Sequence, residues 1–130
     1  MTPEEIIVAA LETIDGLRSN VYPAEALKNA TAPFVFYLQA ADDETETLDG
    51  PTGLMSATYE IHCVAQSYAV LLWLVGSVRP ALQAMQGKTY NGLLIERASV
   101  RQASPDLKER EVGLYRRMLR LELHYQKEEK

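Results

Sequence analysis

The chain predicts an α+β domain in which two main helices cover a largely antiparallel sheet, in the order α-β-β-β-α-β-β. Three observations carry this prediction. Two segments, one near the start and one in the middle, place apolar residues at 3–4 spacing, the mark of a helix with a buried stripe. The segments between and after them alternate apolar and polar residues one by one, as strands with one buried face do. Finally, 130 residues with 47% apolar and 24% charged content make an ordinary globular composition with one core. No repeat or linker divides the chain, so residues 1–130 are expected to form a single domain.

The first helix is signalled by Thr2-Pro3-Glu4-Glu5, which sets a capping threonine, proline at the first helical position and a glutamate two residues later. Ile6, Ile7, Ala10, Leu11 and Ile14 form its buried stripe, and Gly16 is the expected stop. Asn20-Val21-Tyr22-Pro23 reads as a short extended piece that Pro23 confines to an edge. Pro33 opens a strand over Phe34–Gln39. Residues 42–53 lose the hydrophobic pattern and read as an exposed acidic hairpin loop closed by Gly50-Pro51-Thr52-Gly53. Alternation then resumes, with Met55, Ala57, Tyr59, Ile61, Cys63 and Ala65 on one face and Ser56, Thr58, Glu60, His62 and Gln66 on the other.

Ser67 is placed to cap a second helix reaching about Met85. Tyr68, Leu71, Leu72, Val75, Val78, Leu82 and Met85 are its expected core stripe. Val70, Trp73, Leu74, Ala81 and Ala84 make the opposite side apolar as well, so this helix predicts cover on two sides. Pro80 is expected to kink or split it. Gly87 and Gly92 bracket a connector, Leu93–Gln102 reads as a strand, and the polar stretch from Ser104 to Glu111 as a loop or a single helical turn. The last strand sends Tyr115, Leu119, Leu121, Leu123 and Tyr125 to one face and Arg116, Met118, Arg120, Glu122 and His124 to the other, with Arg117 an exception on the apolar side. Residues 127–130 read as a solvated tail.

The net charge of −5 and a pI near 5.0 argue against a general nucleic-acid or anionic-membrane binder. The acidic start, the lack of a bilayer-length apolar run and the single cysteine predict a soluble cytoplasmic protein without disulfides. The charge is uneven: residues 1–50 hold ten acids against two bases, whereas residues 51–130 hold eight acids against eleven bases. Such a chain can attract copies of itself if the two regions face different ways.

No catalytic pattern is found. His62 and Cys63 are neighbours on a strand and point to opposite faces, so they form no dyad. Cys63 reads as a small core residue, and His62 as a surface or interface histidine. The Asp42–Asp49 cluster lacks the glycine and glutamate positions of an EF-hand loop. Gly50–Gly53 is too short to cradle a phosphate. Trp73, with Val70 and Leu74, would form an exposed apolar patch of the kind used for association.

Several strings together resemble the tail completion, or tail terminator, proteins of long-tailed bacteriophages and prophages. They are Val21-Tyr22-Pro23, Ala32-Pro33-Phe34-Val35-Phe36-Tyr37, Leu48-Asp49-Gly50-Pro51-Thr52-Gly53-Leu54, Ala57 to Ala65, the helix from Tyr68 to Met85, Leu114-Tyr115-Arg116-Arg117 and Leu121 to Tyr125. Their order and spacing, over nearly the whole chain, carry the resemblance. It implies a non-enzymatic virion protein without cofactor or metal, assembled in the host cytoplasm. Such a protein forms a ring, typically hexameric, on the head-proximal end of the tail tube, stops tube polymerisation and receives the head connector. DNA passes through its lumen only as cargo. The residues expected at interfaces are Asp42, Asp43, Glu44, Glu46 and Asp49 of the loop, Val70, Trp73 and Leu74 of the helix, and Arg116 and Arg120 of the last strand. Competing readings are a connector adaptor ring, a small ligand-binding regulatory domain, or an enzyme that uses the loop carboxylates with a divalent metal.

Overall fold

The computed structural model describes residues 3–14, 17, 20–23, 32–47, 50–90, 92–103, 105, 107–109 and 113–127. In chain order these form α1 (Pro3–Glu12), β1 (Val21–Pro23), β2 (Phe34–Thr47), β3 (Gly50–Ala65), α2 (Tyr68–Gln83), β4 (Thr89–Tyr90), β5 (Leu93–Gln102), β6 (Leu107–Glu109) and β7 (Leu114–Lys127). The class is α+β, as the alternation predicts. The strands form one seven-stranded sheet in the order β1-β2-β3-β7-β5-β4, with β6 alongside β7.

Every pairing in the sheet is antiparallel except that of β1, which runs parallel to β2 at Val21↔Val35. Strand β7 is central. β3 pairs with it from Ala65↔Tyr115 to Leu54↔Gln126, and β5 takes its other side from Gln102↔Leu119 to Leu93↔Lys127. The beginning of β7, which β5 does not reach, is paired by β6 through Leu107↔Arg116. The polar stretch after Ser104 therefore contains a short strand, where a loop or helical turn was expected. Its backbone completes the ladder that β5 leaves open.

One face of the sheet alternates into the core. Ala57, Tyr59, Ile61, Cys63 and Ala65 of β3 and Leu119, Leu121, Leu123 and Tyr125 of β7 are buried there. On β5 the buried residues change phase, from Leu93 and Ile95 to Ala98 and Val100. A bulge between Ile95 and Arg97 accounts for this, because one extra residue turns all later side chains to the other face. Gly87 adopts a positive φ of 83° in the turn leading from α2 into β4, where its N–H donates to Ile95 O at 2.6 Å. That conformation is free of Cβ strain only for glycine.

Both helices lie on the core face. α1 buries Ile6, Ile7 and Leu11, and its first turn is tied to the sheet by Tyr59, whose hydroxyl donates to Glu4 Oε1 at 2.8 Å. α1 ends at Glu12, before the expected stop, and Thr13 Oγ1 donates to Ala10 O at 2.6 Å. Thr2 and Gly16 lie outside the described residues. Ser67 caps α2 as predicted, accepting from the Val70 N–H at 3.2 Å. Pro80 does not split α2, which runs as one helix to Gln83. The carbonyl that Pro80 leaves without an intrahelical donor belongs to Gly76, an exposed residue that water reaches.

The acidic stretch is also a correction. β2 continues through Thr47 and β3 begins at Gly50, so residues 42–47 and 50–53 are strand backbone instead of loop. Glu46 pairs with Pro51 and Thr47 with Gly50, after irregularities at Gln39/Ala41 and Glu44/Glu46. The pairing of β3 with β7 stops at Leu54, so the tip of this hairpin is a two-stranded arm past the sheet body. Asp49 and the tail residues 128–130 lie outside the described residues, as do the side chains of Asp42, Asp43, Glu44 and Glu46. Lys127, expected in the solvated tail, is the last residue of β7.

Candidate assembly surface

The seating of α2 differs from the predicted phase. Leu71, Leu74, Val75, Val78 and Leu82 are buried against the sheet and α1, whereas Tyr68, Leu72 and Trp73 are 45%, 47% and 44% exposed. Leu74, expected on the outer patch, is therefore a core residue at 0% exposure, and Val70 packs partly against the core. Tyr68 and Leu72, expected inside, are outside with Trp73. The reason is periodicity: positions 71, 74, 75, 78 and 82 fill one stripe at 3.6 residues per turn. Positions 68 and 72 lie one turn apart on one flank of that stripe, and Trp73 stands about 100° further round, on the outer side. These three are the exposed large apolar side chains among the described residues. Tyr68 also meets Tyr115 edge to face, with ring centroids 5.9 Å apart.

At the other end of α2 is a groove of about 330 Å³ between the two helices. Ala9, Ala10 and Thr13 of α1 and Ala81, Ala84 and Met85 of the α2 end line it, with Lys88 and Tyr90 beside them. Its cause is simple, since alanines facing alanines across a helix pair leave the space that larger side chains fill elsewhere. The alanines are plain in the sequence, but nothing there says that the two stretches face each other.

The outer face of the sheet holds the basic residues singled out in the sequence. Arg120 stands between Glu60 on β3 and Arg101 on β5, and Arg116 stands opposite Val64. Arg101 donates to Glu122 Oε1 at 2.7 Å. The face is thus of mixed charge, and both Arg116 and Arg120 are half-buried in it. His62 lies flat on Phe36, with ring centroids 4.4 Å apart and planes within 4°, and its Nε2 meets Glu60 Oε1 at 3.2 Å. Burial is the main cause that lowers the His62 pKa, helped by the charge of Arg116 and opposed by Glu60. Cys63, on the core face, is fully buried, and burial pushes its thiol up to about 12. Both behave as the alternation predicts, one in the core and one on the outer face.

No group of three or more His, Cys, Asp or Glu stands close enough to hold a metal ion among the described residues. Among them, too, no helix is long and apolar enough to cross a membrane.

No family model and no curated protein matches this chain. Among solved structures, it is similar to a chain from the virion of a native gene transfer agent (GTA) particle. The identity is 16% and the TM-score 0.49, over 92% of this chain and 84% of that one.

Proposed function

We propose that the protein is a structural component of a phage virion that caps the head-proximal end of the tail tube as a ring, ends tube polymerisation and presents the surface to which the head connector attaches. The observation that carries this reading is the exposed cluster of Tyr68, Leu72 and Trp73 on α2. An apolar group of that kind on a surface helix marks association, and it lies within the strings that resemble the tail completion family. The two-stranded acidic arm supports the reading as a second contact, toward the tube end, a neighbouring copy or the lumen.

The test is electron microscopy of the purified protein incubated with tail tubes of the same virus. Rings at one tube end, with tube growth arrested, are expected. Binding to isolated connectors with no binding to tubes would move the protein to an adaptor role. Replacing residues 45–54 with a two-residue Asn-Gly turn joins the paired Glu44 and Met55 and keeps the rest of the hairpin paired. This variant is expected to impair capping, and unchanged tail length would remove the arm from the proposal.

A further inference from the structure

We infer that three arginines on the outer face of β5 and β7, Arg97, Arg101 and Arg120, receive the acidic arm of a neighbouring copy of this chain. The inference rests on the ring reading and deepens it, since it names the contact by which one copy meets the next.

The arginine side is short of anions. Arg101 and Arg120 are direct cross-strand partners, and like charges so placed repel. Arg101 has Glu122 as its acceptor, whereas the Nε of Arg120 is buried without an acceptor among the described residues. Ala98 and Val100 are buried in the core, so Arg97, Ser99 and Arg101 share the outer face. Both arginines of β5 are exposed. Glu60 and Glu122 stand among these cations. A continuous phosphate backbone laid on this face would meet those carboxylates as well, while discrete carboxylates on a strand can be set in register with the arginines alone.

The arm supplies such carboxylates. Residues 42–49 hold five acids and no base, and the hairpin that carries them runs past the end of the β3–β7 pairing. Asp42 and Glu46 are four positions apart on β2, as Arg97 and Arg101 are on β5. At ~3.3 Å per residue, each pair spans up to about 13 Å. The chain's own arm does not reach its own arginines, because β3 and β7 stand between β2 and β5. That separation is about 14 Å, at ~4.8 Å per strand. The carboxylates therefore come from another copy. Arm and arginines are different surfaces, so the contact is heterologous and closes into a ring when the rotation between copies allows.

The experiment reverses each side in the full chain. One variant is Arg97→Glu with Arg101→Glu, and the other is Asp42→Lys with Glu44→Lys and Glu46→Lys. Unchanged circular dichroism is the check on folding. Mass is followed by sedimentation velocity over a concentration series, and rings on tail tubes by electron microscopy. Each variant alone is expected to self-associate about ten-fold more weakly or worse. Mixed together they should assemble again, because the new glutamates of one meet the new lysines of the other, and the unchanged arm and arginines also pair. A mixture no better than either variant alone would overturn the contact. Rings formed by each variant as well as by the wild type would also overturn it, and would leave the ring reading standing. A wild-type chain that adds nothing to tubes would overturn both. Retention of a DNA duplex at physiological salt, lost in the arginine variant while self-association is unchanged, would assign the face to nucleic acid and overturn the contact.

Discussion

Substituting Leu74 and Leu72 in parallel tests how α2 is seated, because the two residues are neighbours in sequence and opposites in surroundings. Leu74 is 0% exposed and Leu72 is 47% exposed. Leu74→Ala removes three buried carbons, or about 2.4 kcal/mol at ~0.8 kcal/mol each. The void left between α2 and the sheet closes only in part, which brings the cost to about 3–4 kcal/mol. Leu72→Ala removes the same atoms from a half-exposed site, and the expected cost is under ~1 kcal/mol. Helix propensity hardly enters, since leucine and alanine differ by only a few tenths of a kcal/mol. For a chain of 130 residues, at roughly 3–5 °C per kcal/mol, Tm should fall by about 9–20 °C for Leu74→Ala and by less than ~5 °C for Leu72→Ala. The assay is thermal and urea unfolding at a concentration where the chain is monomeric, because assembly would itself stabilise the Leu72 surface. Equal costs, or a larger cost for Leu72→Ala, would refute this seating of α2 and the exposed cluster with it.

Tyr59→Phe should lose about 1–2 kcal/mol, the value of a part-buried hydroxyl bonded to a carboxylate, and a double-mutant cycle with Glu4→Ala, which removes the acceptor, should assign most of it to that pair. No coupling in the cycle would show that α1 is held by packing alone. Cys63, with its thiol pushed up to about 12 in the core, should react with thiol reagents only as fast as the domain opens; rapid labelling of the native protein would contradict its burial. The folded pKa of His62 lies below its ordinary value of 6.5, so the unfolded chain takes up the proton first. Stability from this site is present above pH 6.5 and lost as pH falls through the folded pKa. Melting curves should show a smaller acid-side loss in His62→Gln than in the wild type.

Much of the fold is legible in the residues, and the exceptions have physical causes. Strict alternation in β3 and β7 predicts both strands and their buried faces, since a period of two leaves one register that buries Ala57, Tyr59, Ile61 and Cys63 together. Ser67 announces the start of α2 in the same direct way. The acidic stretch hides its strands because charged residues and glycines mask β propensity, while the cross-strand partners that make the ladder lie within Gly50–Ala57. The phase of α2 is hidden for the opposite reason. With leucine, valine and tryptophan on nearly every side, composition offers two stripes, and only packing against α1 and the sheet chooses between them. The bulge at Ile95/Arg97 is written in the sequence as the adjacent polar pair Glu96-Arg97, which breaks the alternation, whereas the groove, which depends on two alanine pairs meeting across space, leaves no mark there.

The charge split of the sequence has a place in the fold. β1 and β2, the described strands drawn from the first fifty residues, stand at the β1 end of the sheet order β1-β2-β3-β7-β5-β4, while α1, from the same stretch, reaches Lys88 and Tyr90 of β4. The arginines of β5 and β7 lie toward the other end. Charge is therefore unevenly spread along the sheet, which a head-to-tail contact can use, whereas a two-fold contact sets each patch against itself. Long-range attraction of this kind steers encounter and is screened by salt, the screening length falling from ~30 Å at about 0.01 M to ~3 Å at about 1 M. Self-association should therefore slow as sodium chloride rises from about 0.05 M to about 0.5 M. The dissociation rate, set by short-range contacts once they are made, should change much less. Stopped-flow association of labelled chains separates the two rates. An association rate indifferent to salt would show that the uneven charge plays no part in bringing copies together.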